Sequence, residues 1–182
     1  MINKILSKFI IALQKLLPIS FKINHKFQNH NQVTNLDVII TSLKNKNFEP
    51  EYVVDVGCFK GIWTNKLLKF FPNSKYILFD ADDKNIEYLD KLKFNHKNVD
   101  YKIKLLSDDE KEYDFFSMAS GSSIFEEQTN YSREIKKIKS SLLYNELPSE
   151  IKNTKSNLIK LDVQGAELKI ITGLKELINN FE

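Results

Sequence analysis

Three short apolar runs, each carrying an aspartate at or near its end, constrain the fold of this 182-residue chain more than any other feature. They are Tyr52–Gly57, which contains Asp55, Tyr76–Asp80, and Leu158–Val163, which contains Asp162. Continuous apolar runs of this length are typical of strands that are buried on both faces of a parallel sheet. Segments with helical spacing of apolar residues separate them. The sequence therefore predicts an α/β fold with an open, mostly parallel sheet and right-handed crossovers.

The remaining elements are predicted from the same two periodicities. Helices are expected over residues 36–43, 62–71, 86–94 and 168–174. A third strand is expected over residues 99–106, an antiparallel strand over 112–116 and a further strand over 134–139. Residues 117–123 are rich in Ser and Gly and are predicted to form a loop. Residues 33–182 are expected to form one domain.

Residues 1–17 are predicted to form an amphipathic helix, followed by Pro18 and a polar linker that reaches residue 32. The apolar stripe of this helix could pack on the domain or on a second subunit. It could also lie on an anionic membrane surface, because Lys4, Lys8 and Lys15 lie off the stripe. Packing is the favoured interpretation, since most apolar stripes belong to a core. No cleavage site of a secretory signal follows, so we expect a cytoplasmic protein, at most peripheral to the inner face of the membrane.

Composition excludes several kinds of site. Cys58 is the single cysteine, so an internal disulfide and a multi-cysteine zinc site are excluded. Three histidines make a histidine-based site unexpected, and no metal is predicted. The formal net charge is +3, but Arg133 is the single arginine. Because arginine is the usual reader of guanine, no specific nucleic acid is predicted as a partner.

The aspartates at the strand ends mark the predicted ligand site, because ligands bind at the carboxyl ends of strands in an open parallel sheet. Asp55 precedes a turn with Gly57 and Gly61, whose spacing differs from the G-x-G-x-x-G of pyrophosphate binding. A carboxylate there would attract an ammonium or sulfonium group, and S-adenosylmethionine (SAM) carries both. Asp80 suits hydrogen bonds to ribose hydroxyls, in NAD-binding and SAM-binding proteins alike.

Four other polar residues near strand ends leave alternatives open. Ser107 and Asp108 could hydrogen-bond an adenine edge, or they could be ordinary turn residues. Asp162 could contact the methionine end of SAM, orient an acceptor hydroxyl or take its proton. Glu167 could do the same, or it could only favour a helix N-terminus through the helix dipole.

Together these segments resemble the FkbM family of SAM-dependent methyltransferases, over residues 52–173. The resemblance is carried by Leu158–Glu167, Val54–Gly57 with Gly61, Phe79–Asp80, Leu106–Asp108 and Ser120–Ser123. The chain departs from the family pattern at two places. Cys58-Phe59 stands where the family usually has Ala-Asn, and Asp80-Ala81 stands where it usually has Glu-Pro.

The resemblance implies a Rossmann-like class I methyltransferase sheet that binds SAM and transfers a methyl group to a hydroxyl. The acceptor would be a small molecule or a saccharide, commonly a sugar or a glycosylated product. The implied SAM pocket consists of Asp55, Gly57, Cys58, Gly61, Asp80, Ser107 and Asp108. Cys58 would act through its backbone. Asp162 is the first candidate for a base or an acceptor-orienting group, and Glu167 is the second.

The family sheet usually has seven strands, whereas this sequence ends shortly after the strand of Asp162. We therefore expect the sheet to be truncated at its C-terminal side, with that strand near an open edge that favours association, such as a homo-oligomer. Two other functions stay open. One is a catalytically impaired, truncated nucleotide-binding fragment. The other is an NAD-dependent oxidoreductase, which would need G-x-G-x-x-G after the first strand and a Tyr–Lys pair for hydride chemistry.

Overall fold

A computed structural model describes residues 35–118, 121–126 and 132–181, with side chains from residue 38 onward. The predicted N-terminal helix and linker lie outside these residues. Their packing, their membrane contact and the boundary of the domain at residue 32 therefore stay predictions.

The described chain alternates strands and helices, which confirms the predicted α/β class. The strands are β1 Tyr52–Val56, β2 Lys75–Asp80, β3 Val99–Ile103, β4 Leu105–Ser107, β5 Glu112–Ser117, β6 Glu134–Leu142 and β7 Asn157–Leu161. The α-helices are α1 Asn35–Asn45, α2 Ile62–Leu67, α3 Ile86–Asn95, α4 Leu143–Glu146 and α5 Glu167–Gly173. Short 3-10 turns cover Asp83–Asn85, Ser149–Asn153 and Lys175–Asn180.

The central sheet has four parallel strands in the order β3-β2-β1-β7. All five residues of β1 are buried, as expected for a strand with neighbours on both sides and cover on both faces. The register sets the level of each residue along the sheet. Asp55 lies beside Leu78 of β2 and Lys160 of β7. Two residues further along, Gly57, Asp80 and Asp162 follow at a common level, where the strands end.

A second sheet of three strands, in the order β4-β6-β5, lies beyond β3 in the sequence. The single strand predicted over residues 99–106 is wrong, because the chain leaves the central sheet at Lys104. Its N–H still donates to the carbonyl of Asp80 at 2.7 Å, and β4 then pairs in parallel with β6. The antiparallel strand predicted over residues 112–116 is confirmed as β5, and β6 extends the predicted 134–139 strand to Leu142.

A core cluster packs on one face of the central sheet, and β7 limits that sheet on one side. The cluster includes Val54 and Val56 of β1, Phe79 of β2 and Ile170 of α5. On the side away from β1, the described residues give β7 one further contact, an isolated parallel bridge between Asn157 and Phe181. The predicted position of this strand near a sheet edge is therefore observed for the described part of the chain.

Candidate active site

A cavity of about 210 Å³ opens at the carboxyl ends of the central strands. Gly57, Asp80 and Asp162 line it, each from the end of a different strand. The walls are completed by side chains that sequence reasoning did not single out, among them Phe59, Asn85, Lys104 and Phe115. The predicted location of the ligand site at this edge of the sheet thus coincides with a cavity.

Asp80 is the most constrained carboxylate of the cavity. The backbone N–H of Phe59 donates to its Oδ2 at 2.7 Å, and the N–H of Asp82 donates to its Oδ1 at 2.9 Å. Asn85 Nδ2 donates to the same Oδ1 at 3.1 Å. Burial raises the pKa of the Asp80 carboxyl, and the two backbone hydrogen bonds oppose that shift. Since a carboxylate accepts about four hydrogen bonds, roughly one acceptor position is left for a ligand.

Asn85 is a cavity residue that the sequence did not point to. It is 5% exposed and ends the 3-10 turn that follows β2. Asp82 accepts a hydrogen bond from the N–H of Lys84 at 3.1 Å and so begins this turn. Asn85 Nδ2 donates one of its hydrogens to Asp80, and the side-chain oxygen of Asn85 is the atom that could accept a hydrogen bond from a ligand.

The two glycines of the β1–α2 turn serve packing. Gly57 has φ +71°, and a Cβ at this position would lie 2.0 Å from the carbonyl oxygen of Asp162. Gly61 has φ +70°, and its Cβ would lie 2.6 Å from Leu92 Cδ2 of α3. The missing Cβ of Gly57 thus allows the backbone of the β7–α5 turn to approach closely. Gly57 lines the cavity, whereas Gly61 lies against α3 and outside it.

Cys58 is 3% exposed and lies outside the cavity lining. Burial raises the pKa of its thiol well above the usual range, and the carboxylates of Asp55 and Asp80 add to the shift. Burial and a raised pKa both disfavour the thiolate form that a nucleophile would need. Its backbone N–H donates to the carbonyl of Phe79 at 3.1 Å, and its carbonyl accepts from the N–H of Gly61 at 2.8 Å. The prediction that Cys58 contacts a cofactor through its backbone stays a prediction.

Asp55 lies two residues below the cavity, inside β1, and is fully buried. Thr64 Oγ1 donates to its Oδ2 at 2.7 Å, and Lys160 Nζ lies 3.1 Å from its Oδ1. Burial raises the pKa of the Asp55 carboxyl, while Lys160 and Thr64 oppose the shift. The Asp55 carboxylate faces protein partners and lies outside the cavity lining, so this geometry gives no support to the direct cofactor contact that the sequence suggested.

Ser107 and Asp108 also lie outside the cavity lining. Ser107 is fully buried, and its Oγ lies 3.0 Å from Asp108 Oδ1. Lys169 Nζ binds the same Asp108 oxygen at 2.9 Å and lies 3.3 Å from Tyr113 Oη. This polar cluster joins β4, β5 and α5, which agrees with turn residues better than with an adenine contact.

Asp162 and Glu167 have different surroundings. Asp162 lines the cavity with its side chain 58% exposed, 3.6 Å from Lys160 Nζ. Glu167 lies outside the lining and accepts hydrogen bonds from the N–H groups of Val163 at 3.1 Å and Gly165 at 3.0 Å. It therefore stabilises the turn before α5 by direct hydrogen bonds, in addition to the favourable position at a helix N-terminus that was the alternative to a proton-transfer role.

A family model described as the methyltransferase FkbM domain matches residues 55–182. The chain belongs to the FkbM methyltransferase family. The match includes the cavity-lining ends of β1, β2 and β7, so the three strand-end residues of the cavity lie within the family domain.

Two solved structures to which this chain is similar are methyltransferases with low sequence identity. Coclaurine N-methyltransferase, bound to N-methylheliamine and SAH, is 19% identical over 41% of this chain, with a TM-score of 0.31. Precorrin-6y C5,15-methyltransferase from Geobacter metallireducens GS-15 is 10% identical over 84% of this chain, with a TM-score of 0.41. The chain spans 24% and 63% of these two proteins. No curated protein matches it.

Metal clusters and membrane-spanning helices are both absent from the described residues of this FkbM family chain. Within residues 35–118, 121–126 and 132–181, no group of three His, Cys, Asp or Glu side chains could hold a metal ion. In the same part of the chain, no helix has the length and hydropathy to cross a membrane.

Proposed function

We propose that the chain binds S-adenosylmethionine in this cavity and transfers its methyl group to a hydroxyl oxygen of a small-molecule or saccharide acceptor. The observation that carries the proposal is the cavity with Asp80 and Asp162 at the carboxyl ends of parallel strands, in a chain of the FkbM methyltransferase family. The saccharide acceptor is supported by family resemblance alone.

Asp80 and Asn85 are the proposed ribose contacts. Because three protein groups already occupy Asp80, we expect it to accept one ribose hydroxyl rather than two. The side-chain oxygen of Asn85 is then the acceptor for the second hydroxyl. This division of work suits an aspartate, whose side chain is one methylene shorter than the glutamate that the family usually has here.

Asp162 is the proposed acceptor-side residue. SAM supplies an electrophilic methyl group on its sulfonium, so the residues of the chain mainly need to align the acceptor and exclude water. Asp162 lines the cavity and its side chain is 58% exposed, so we expect its carboxylate to accept the hydrogen bond of an acceptor hydroxyl and then its proton late in the step. Glu167 is not assigned a proton-transfer role here, because both of its carboxylate oxygens accept backbone hydrogen bonds.

An NAD-dependent oxidoreductase finds less support. Tyr113 and Lys169 are 3.3 Å apart, as hydride chemistry would ask of a Tyr–Lys pair. Neither residue lines the cavity, however, and the sequence lacks G-x-G-x-x-G after β1. The observed pair therefore gives no reason to prefer this reaction.

Calorimetric titration of the 182-residue chain with S-adenosylhomocysteine (SAH) and, separately, with NAD tests the proposal. We expect micromolar binding of SAH and no binding of NAD. Asp83→Ala is a matched control for variants of Asp80, because Asp83 is an exposed carboxylate that pairs with Lys136. A folded chain that binds neither ligand would support the catalytically impaired fragment instead.

A further inference from the structure

Lys160 occupies the point where the two cavity-lining turns meet. Its Nζ donates to the carbonyl oxygen of Gly57 at 2.9 Å and lies 3.1 Å from Asp55 Oδ1 and 3.6 Å from Asp162 Oδ2. The side chain is 19% exposed. One ammonium group thus contacts the end of β1, the end of β7 and the buried carboxylate below them.

The contact with Asp55 alone would make Lys160 a neutralising partner. Asp55 Oδ1 is buried and accepts no hydrogen bond of regular geometry among the described residues, so the nearby ammonium compensates its charge. Such a role would end if both charges were removed together, because a neutral pair needs no counter-ion.

The other two contacts connect the turns themselves. Gly57 and Asp162 both line the cavity, and their backbones already approach so closely that a Cβ on Gly57 would lie 2.0 Å from the Asp162 carbonyl oxygen. The N–H of Asp162 also donates to the carbonyl of Val56 at 3.0 Å. The ammonium therefore adds a bond between two turns that have to keep a fixed spacing around a ligand.

We propose that Lys160 is a positioning residue, whose ammonium holds the Gly57 turn and the Asp162 carboxylate in their places at the cavity wall, beyond its role as partner of Asp55. The proposal deepens the SAM-binding function above and rests on it for its effect on ligand affinity. Its effect on the two turns concerns the unliganded chain.

The double variant Asp55→Asn/Lys160→Met separates the two roles. It removes both charges of the buried pair, while the amide oxygen of the introduced asparagine can still accept from Thr64. It is therefore expected to fold even where Lys160→Met alone does not. We expect its thermal unfolding to be close to that of the wild type. Its SAH affinity should nevertheless fall about tenfold or more, the size of a lost charge-assisted hydrogen bond. Lys93→Met, which removes an exposed partner of Asp100, is the control and should leave the affinity unchanged.

Hydrogen exchange of the Asp162–Gln164 amides, followed by NMR without ligand, gives the second measurement. We expect exchange about tenfold faster in the double variant than in the wild type. Wild-type affinity and wild-type exchange in a stable double variant would overturn the proposal and reduce Lys160 to a neutralising partner. If the wild type binds no SAH but exchange is accelerated in the double variant, the SAM-binding function fails while the positioning role is supported.

Discussion

Asp55 and Asp80 come from similar sequence patterns and have opposite surroundings. Both are aspartates in apolar strands that lie side by side in the central sheet. Asp55 lies beside Leu78, two residues before Asp80, and is fully buried against Thr64 and Lys160. Asp80 is the last residue of its strand and faces the cavity. The two carboxylates differ by two residues in their level along the sheet. Asp55 is therefore paired with protein groups inside the sheet, whereas Asp80 lies at the cavity, where a ligand can contact it.

The largest expected effect is the loss in the free energy of unfolding when Asp55 is replaced. Asp55→Ala leaves the Lys160 ammonium without its closest carboxylate and Thr64 without its acceptor. Breaking a buried ion pair from one side costs about 3–5 kcal/mol, so we expect a loss of this size in the free energy of unfolding. Urea unfolding monitored by circular dichroism measures it. An Asp55→Ala variant as stable as the wild type, with abolished SAH binding, would show that Asp55 is a ligand contact after all.

Asp80→Ala should give the opposite profile. Three hydrogen bonds to protein groups are lost at a partly buried site, so we expect about 1–2 kcal/mol of destabilisation. SAH affinity should fall about 100-fold, because a charged acceptor of the ribose is removed. Titration calorimetry measures this loss, with Asp83→Ala as the control that retains wild-type affinity. An Asp80→Ala variant that binds SAH normally would remove Asp80 from the site.

The sequence allowed correct predictions where only the position of the backbone mattered. The run of apolar residues fixes where a strand ends, and the ends of parallel strands share one edge, so Asp55, Asp80 and Asp162 were expected together. Asp80 and Asp162 do line one cavity, whereas Asp55 lies two residues below it. The surroundings of Asp55 depend on Lys160, which lies far along the chain and becomes a neighbour through the β1–β7 register. Local sequence contains no signal for that pairing.

The same limit explains the other polar residues near strand ends. Ser107 ends β4, a strand of the second sheet, and Asp108 follows it. Leu105 and Leu106 of this strand line the cavity, but Ser107 is buried against Asp108 and Tyr113 outside the lining. Asn85 enters the cavity through a 3-10 turn that begins at Asp82, for which the only sequence signal is a short polar run after β2. Such placements depend on turn geometry, which apolar periodicity does not determine.

Asn85 tests whether Asp80 and Asn85 each accept one ribose hydroxyl, and the expected change in affinity is smaller than at Asp80. Asn85→Ala should lower adenosine affinity about three- to tenfold, the size of one neutral hydrogen bond. It should also reduce the discrimination against either 2′-deoxyadenosine or 3′-deoxyadenosine, because the hydroxyl that Asn85 accepts is no longer sensed. Competition against SAH measures these affinities. If the wild type and Asn85→Ala discriminate equally against the two deoxyadenosines, Asp80 accepts both hydroxyls.

The pH dependence of the free energy of unfolding tests the surroundings of Asp55 and Asp80 without any ligand. Burial raises the pKa of both Asp55 and Asp80 above the ordinary value of 3.8, so the folded state holds these protons more tightly than the unfolded state. The stability that each contributes is present at low pH and is lost as pH rises from 3.8 through the raised pKa. The difference between wild type and Asp55→Asn in the free energy of unfolding should therefore fall with rising pH, and the same is expected for Asp80→Asn.

Asp83 should show the opposite pH dependence, because its hydrogen bond to Lys136 lowers its pKa. For Asp83→Asn the difference from the wild type should rise with pH instead, since the folded state releases this proton more readily than the unfolded state. Urea unfolding over a range of pH values that brackets the ordinary carboxyl pKa measures all three slopes. If the difference between wild type and Asp55→Asn rises with pH, as expected for Asp83, the effect of Lys160 and Thr64 on the pKa of Asp55 outweighs that of burial.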